Sequence, residues 1–337
     1  MANLTTKYLG LTLKNPVIAG ASNLVKEIDN IKKMEDAGAA AIVYKTLFEE
    51  QIELERLQLS EELNQYNERH AEMISLFPDI EHAGPTEHLM HLRRAVEAVT
   101  IPVIASLNCT FEETWVDYAK AIEQTGVNAI ELNFYSVPGD FKRMGKEIIS
   151  EQLDAINHVK KNLKIPVSVK LSPFYTNALN VIQMMYFEGA DGFVLFNRLF
   201  QPDIDIHKEE HHFPYHLSHE DDNRLALRYI GLLYGEINGS LCANTGIFSG
   251  NDVIKMILAG ADCVQVVSTL YKNGIHHISK ILSDIELWMD QKKYESIDRF
   301  QGKLAKRKMN DPLVYKRAQY VDILMKSEEI FKKYPMR

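Results

Sequence analysis

The sequence predicts an α/β fold, a parallel (β/α)8 TIM barrel formed by a single domain over residues 1–337. Three observations carry this. Short apolar, β-rich runs alternate eight times with amphipathic segments, the pattern of a parallel sheet covered on both faces. Gly38-Ala39, Gly126-Val127, Gly189-Ala190 and Gly260-Ala261 each close a helical segment directly before an apolar run. There glycine takes the left-handed conformation at little cost and turns the chain into the next strand. The length of 337 residues suits eight such units better than the smaller domains of most other folds. A doubly wound open sheet is the alternative for the same alternation, and eight units favour closure.

The elements follow in order. Residues 7–13 read as a strand pair across the barrel bottom. The eight strands are expected at 16–19, 40–45, 103–106, 129–133, 167–171, 192–196, 241–244 and 263–267. Ile101-Pro102 and Ile165-Pro166 open the third and fifth, since proline is tolerated at a strand's first residue. Helices are expected between them, at 27–35, 113–124, 146–161, 178–187 and 251–258. Two stretches exceed the minimal unit, 47–85 after strand two and 198–220 after strand six. Both leave the C-terminal ends of strands, the face where barrel enzymes keep their chemistry, and read as lids. The tail after Leu282 reads as helical, with Trp288, Tyr294 and Phe300 as packing anchors.

Composition sets the class. Hydrophobic residues at 46% supply the apolar surface that a disordered chain lacks. The balance of 38 basic against 46 acidic residues, −8 in all, argues against gripping nucleic-acid phosphates. Three cysteines make no disulfide scaffold and suit a reducing compartment. Cys242 and Cys263 fall inside strands and read as core; Cys109 falls near the barrel mouth. There is no Cys-x-x-Cys for an iron–sulfur cluster and no complete Gly-x-Gly-x-x-Gly. The N-terminus does not read as a secretory leader, and no window approaches the ~18 apolar residues of a membrane helix. A cytoplasmic protein without a membrane partner is expected.

The strand ends carry the chemistry. Strand two closes on Lys45-Thr46, four on Asn133, five on Lys170, six on Asn197, seven on Asn244-Thr245-Gly246 and eight on Ser268-Thr269. A lysine ending an apolar strand needs a partner or a ligand. Each amide or serine alone is explained as readily by a helix cap. Together they predict a mouth suited to a planar, hydrogen-bonding, partly anionic ligand. Thr245-Gly246, Ser249-Gly250 and Ser268 precede helices, so backbone N–H groups and two helix N-termini are expected to form a phosphate site. Residues 203–222 are rich in His, Asp and Glu but lack tight ligand spacing, so a solvated lid rather than a metal site is expected.

These pieces resemble the dihydroorotate dehydrogenase family, closest to its soluble branch. The resemblance rests on Asn15-Pro16-Val17-Ile18 with Ala21-Ser22, Lys45-Thr46, Glu131-Leu132-Asn133, Val169-Lys170-Leu171-Ser172-Pro173, Asn197, Asn244-Thr245-Gly246-Ile247 with Gly250, and Gln265-Val266-Val267-Ser268-Thr269-Leu270. Phe300-Gln301-Gly302-Lys303-Leu304 adds to it. It implies an FMN-dependent oxidoreductase acting on CH–CH groups, oxidising dihydroorotate to orotate in pyrimidine biosynthesis, as a homodimer. Ala21, Ser22 and Ser106 would line the flavin site. Lys45 and Lys170 would approach the flavin ring, where positive charge favours the reduced anion. Asn133 would sit by flavin and substrate, and Asn197 and Lys45 would contact the substrate. Asn244, Thr245, Gly246, Val267 and Ser268 would hold the cofactor, the last four at its phosphate. A base on the loop after strand four would remove a proton from carbon while hydride passes to flavin N5.

The sequence departs from the family in ways that bear on substrate. The loop after strand four usually reads Asn-x-Ser-Cys-Pro-Asn in soluble members; here it is Asn133-Phe134-Tyr135-Ser136-Val137-Pro138-Gly139. Ser136 falls where the base belongs, a hydroxyl where a thiol would ionise more easily. The loop's second asparagine is absent, as is the one expected in the lid after strand two. The Gly-rich stretch expected before strand seven is replaced by the polar, charged 216–222. Losing substrate amides weakens discrimination, so an FMN oxidoreductase of the same family acting on another cyclic amide or enone stays open. So does a flavin-free phosphate-binding lyase or isomerase using Lys45 or Lys170 as a Schiff-base lysine.

Overall fold

The computed structural model describes residues 2–49, 85–109, 112–134, 139–198, 202–212, 216–310, 315, 318–326, 328 and 332. Its strands are β1 (Thr6–Tyr8), β2 (Leu11–Leu13), β3 (Val17–Ala19), β4 (Ala41–Val43), β5 (Leu47–Phe48), β6 (Val103–Asn108) and β7 (Ala129–Asn133). They continue with β8 (Val167–Leu171), β9 (Gly192–Leu195), β10 (Asp203–Asp205), β11 (Glu210–His212), β12 (Ser240–Ala243) and β13 (Cys263–Val266). The helices are α1 (Ile28–Asp36), α2 (Thr86–Ala98), α3 (Glu112–Glu123), α4 (Gly145–Asn162) and α5 (Ala178–Phe187). They continue with α6 (Asn223–Leu233), α7 (Gly250–Ala259), α8 (Ser268–Asn273), α9 (His277–Lys292) and α10 (Ala318–Met325).

Eight parallel strands close on themselves in the order β3, β4, β6, β7, β8, β9, β12, β13, with β13 returning to β3 through Gln265↔Ile18. This is the (β/α)8 barrel the alternation predicts, and every predicted strand lies on one of the eight. β6 runs past its predicted end because Leu107 and Asn108 pair with Leu47 and Phe48 of β5. The rest of the stretch after strand two, 50–84, lies outside the described residues.

The apolar side chains divide between two cores. The larger fills the space between the strands and the helices, with Val103, Val167, Leu195 and Ala243 facing α-helical residues such as Ile122, Ile156 and Ile257. The smaller lies inside the barrel and holds Ile18, Val43, Ile104, Val194, Cys242 and Cys263. Its lower end is closed by the antiparallel pair β1–β2, which inserts Tyr8, Leu9 and Leu13. Each such fully buried aliphatic side chain contributes about 1.5–3 kcal/mol of transfer free energy. The pair is anchored by Thr6 Oγ1 donating to Asp262 O at 2.8 Å and Leu9 N donating to Ser240 Oγ at 3.0 Å. Gly192 is required here, since a Cβ at that position would lie 2.6 Å from Leu9 Cδ2.

Within the insertion after strand six, residues 203–212 form an exposed antiparallel ribbon, β10 against β11, with Ile204↔His211 in register, while Ser218 is buried. Among the described residues no group of three or more His, Cys, Asp or Glu side chains is placed to hold a metal ion. Trp288 of α9 and, beyond that helix, Tyr294 and Phe300 form one aromatic cluster, with ring centroids 5.1–5.6 Å apart. No helix among the described residues is long and apolar enough to cross a membrane.

Candidate active site

A strand alternates its side chains between faces, so residues two apart share one. Ser106 and Asn108 of β6, Glu131 and Asn133 of β7, and Ser168 and Lys170 of β8 form three such pairs. Register aligns them into layers: Ser106 opposite Glu131, Glu131 opposite Ser168, and Asn133 opposite Lys170. All six are buried. A barrel interior is ordinarily filled by branched aliphatic residues; here its upper part is polar. Inside it Gln265 Nε2 donates to Glu131 Oε2 at 2.6 Å, and Lys170 Nζ donates to Gln265 Oε1 at 3.2 Å. Lys170 Nζ also lies 3.5 Å from Glu131 Oε1.

Above this layer the barrel opens into a cleft bordered by Lys170, Asn197, Asn244 and Gln265, with Ala21 on one wall. Asn197 Nδ2 donates to Asn133 Oδ1 at 2.6 Å, and Asn108 Nδ2 donates to the Asn133 carbonyl at 2.5 Å. Asn244 Nδ2 and Thr245 Oγ1 both donate to the Phe196 carbonyl at 3.0 Å. The far end of the cleft is formed by Thr245, Gly246, Val267, Ser268 and Ser218. Ser218 Oγ lies 2.8 Å from Ser268 Oγ and accepts from Gly246 N at 3.4 Å. Hydroxyls and a backbone N–H therefore converge at one end, and an ammonium with amides at the other.

The chain turns at this end in a strained conformation. Thr245 has φ +74° and Gly246 φ +75°, unfavourable for a β-branched residue and natural only for glycine. Positive φ at a non-glycine residue concentrates at functional sites. A Cβ on Gly246 would lie 2.5 Å from Asn223 N and 2.9 Å from His219 O, both backbone atoms that do not yield. Gly246→Ala is therefore expected to lose about 1–3 kcal/mol of stability and to disrupt ligand binding at this end. Urea unfolding and ligand titration on the same preparation check both.

The cleft gathers Ala21, Lys170, Asn197, Asn244, Thr245, Gly246, Val267 and Ser268 from the residues the sequence points to. Asn133 joins through its bond to Asn197. Ser106 lies one layer deeper, its hydroxyl 2.9 Å from that of Thr46. Ser22 precedes a short 3-10 turn at Asn23–Lys26 and makes no side-chain cap bond there. Ser136 lies outside the described residues.

Lys45 is half-buried just past β4, beside His88 of α2. His88 packs edge-on against the Tyr44 ring at 5.4 Å. Burial, with the Lys45 charge second, pushes the His88 imidazole down from 6.5 to about 4. The folded value lies below the unfolded one, so stability from neutral His88 is present above about pH 6.5 and is lost as pH falls toward 4. His88→Gln is expected to flatten that part of the stability profile, as measured by urea unfolding at pH 7 and pH 5.

One expectation needs correction and four residues need adding. Only one of the two helix N-termini faces the cleft. Ser249 caps α7, and its partner Asp252 accepts from Phe248 N, Ser249 N and Ser249 Oγ. The N-terminus of α7 is thus satisfied by its own carboxylate, while Gly250 packs against Asp284 of α9. Ser268, expected ahead of a helix, is the first residue of α8. The additions are Glu131 and Gln265 beneath the cleft, and Arg198 and Ser218 on its wall. Arg198 is paired with Asp222. Glu131 carried a readable signal, a charge inside an apolar strand two residues before Asn133. Ser218 carried none, because 216–218 returns to the cleft only through the folding of the long insertion.

The profile of the family described as dihydroorotate dehydrogenase matches residues 3–289. The chain is 28% identical over 321 residues to a dihydroorotate dehydrogenase B (NAD(+)), catalytic subunit, of Thermoplasma volcanium, covering 91% of this chain and 100% of the relative. It is 26% identical over 294 residues to the protein of the same name in Methanocaldococcus jannaschii, covering 84% and 92%. A dihydroorotate dehydrogenase A (fumarate) of Lactobacillus helveticus is 27% identical over 197 residues, covering 55% of this chain and 63% of the relative.

Proposed function

This chain belongs to the dihydroorotate dehydrogenase family, and we propose that it oxidises dihydroorotate to orotate with FMN as its cofactor, in pyrimidine biosynthesis. One observation carries the reading. The cleft joins a cation and amides at one end to a hydroxyl and N–H cradle at the other. That donor set fits a ligand with a planar, hydrogen-bonding ring and a terminal phosphate. When bound, FMN would supply a hydride acceptor at N5 that a second substrate reoxidises.

The chain's own residues have separable tasks. Gly246 N–H and the hydroxyls of Ser218 and Ser268 hold the phosphate. Lys170 presents positive charge to the ring, and Asn244 fixes the backbone at Phe196. Asn133 and Asn197, already bonded to each other, orient the substrate and flavin edge. Ser136 takes the proton from substrate carbon. A second reading is favoured by the thinned amide set: with Asn133 and Asn197 as the remaining pair, the substrate would be another cyclic amide or enone.

The test is a visible spectrum of the purified protein followed by anaerobic dihydroorotate. A yellow protein that bleaches supports both cofactor and substrate. A yellow protein that stays oxidised moves the substrate to the second reading. A colourless protein that cannot be reconstituted with FMN overturns the flavin assignment.

A further inference from the structure

Beneath the cleft lies a charge that the reaction as outlined does not use. Glu131 is fully buried, and its Oε1 has no hydrogen-bond partner in the structure, only the Lys170 ammonium at 3.5 Å. Its Oε2 receives the amide of Gln265 at 2.6 Å. The Gln265 carbonyl oxygen in turn accepts from Lys170 Nζ at 3.2 Å. The amide has one polarity here: its N–H side faces an anion and its oxygen faces a cation. Reversing it would set oxygen against carboxylate and N–H against ammonium. That polarity matches the amide to a carboxylate on one side and to an ammonium on the other. A buried charge is costly unless paired, so each of these two side chains depends on the other.

We propose that Glu131, acting directly and through Gln265, is the positioning residue that keeps the Lys170 ammonium charged and aimed into the cleft. The inference rests on the flavin reading for its purpose, a fixed positive charge at the ring. It does not rest on that reading for its geometry. Among the described residues, other charged and titratable groups also face the cleft and the barrel interior. Arg198 and His216 lie across the cleft, and Tyr8, Cys242 and Cys263 lie in the interior below. Arg198 carries the same sign as Lys170 and is engaged with Asp222, whereas the Glu131 carboxylate lies within ion-pair distance of the Lys170 ammonium.

Two measurements test this, one of them without flavin. In FMN-free protein at pH 8, trace acetic anhydride followed by mass spectrometry gives the acylation rate of Lys170 relative to the exposed Lys161. Only the neutral amine reacts. Glu131→Gln is expected to raise the relative Lys170 rate tenfold or more. Glu131→Asp is expected to return it toward wild type. In FMN-loaded protein, the midpoint potential from pH 6 to 9 is expected to acquire one additional ionisation in Glu131→Gln. That ionisation should vanish in Glu131→Gln/Lys170→Met. Circular dichroism confirms that each variant is folded. If the glutamine variant does not fold, the aspartate variant carries the comparison, with a smaller rise expected.

Equal Lys170 acylation in wild type and the Glu131 variants overturns the proposal, whatever the flavin does. Raised acylation in a protein that takes up no FMN upholds the charge pairing and overturns the functional reading instead.

Discussion

Ser136→Ala is expected to lower turnover with dihydroorotate about 10²–10⁴-fold, the usual contribution of a positioned proton-transfer group, with FMN uptake unchanged. The loop that carries it begins at Asn133, and Phe134 is held by its N–H donating to the Lys170 carbonyl at 3.0 Å. The loop's origin is thus tied to the strand that presents Lys170. A seryl hydroxyl ionises far less readily than a thiol, so its proton must pass onward to water or a neighbour in the same step. Ser136→Cys is accordingly expected to retain turnover and to shift the pH profile toward lower pH. Steady-state turnover and rapid anaerobic flavin reduction separate the proton step from flavin reoxidation. If Ser136→Ala reduces its flavin at the wild-type rate, Ser136 is not the base.

Lys170→Met is expected to cost about 3–5 kcal/mol of stability, the penalty for leaving one member of a buried ion pair without its partner. The size follows from where the charge is stranded. Glu131 has a side chain only 1% exposed, so no water replaces the ammonium. Lys170 itself is 7% exposed and opens onto the cleft. Removing the inner charge as well, in Glu131→Gln/Lys170→Met, is expected to recover most of the loss, because two neutral side chains of similar size no longer need each other. Urea unfolding of the wild type, both single variants and the double variant gives the coupling directly. Strict additivity would show that the two side chains do not depend on one another. The single Lys170→Met variant is also expected to lose FMN affinity.

The architecture was open to reading because it is written in local pattern. Helix-terminal glycines, prolines at strand starts and eight apolar runs each have a local physical cause, and the strands lie where those signals put them. Lys170 stood out because a lysine ending an apolar strand demands a partner. Its partners did not, although Glu131 sits two residues from Asn133 and so shares its face. Their significance depends on β7 and β13 facing each other across the barrel, 134 residues apart in sequence. Ser218 and Arg198 were hidden for a different reason. They flank a long insertion whose composition says only that it is solvated, and where such a segment returns to the barrel is fixed by tertiary packing. The far end of the cleft shows the converse. Ser249-Gly250 was readable as a helix start, but not that Asp252 would turn back to satisfy it.

The hairpin plug at the barrel bottom bears on how the chain is made. Thr6 and its partner Asp262 are separated by 256 residues, and Leu9 and Ser240 by 231. On a ribosome adding about 5–20 residues per second, the first strands wait some 13–50 s before their seats exist. During that interval Tyr8, Leu9 and Leu13, all buried at the end, have no barrel interior to enter. The last strand to emerge, β13, is the one that pairs with β3 and seals the ring. Closure of the barrel and the seating of the β1–β2 pair therefore both wait for residues near β13.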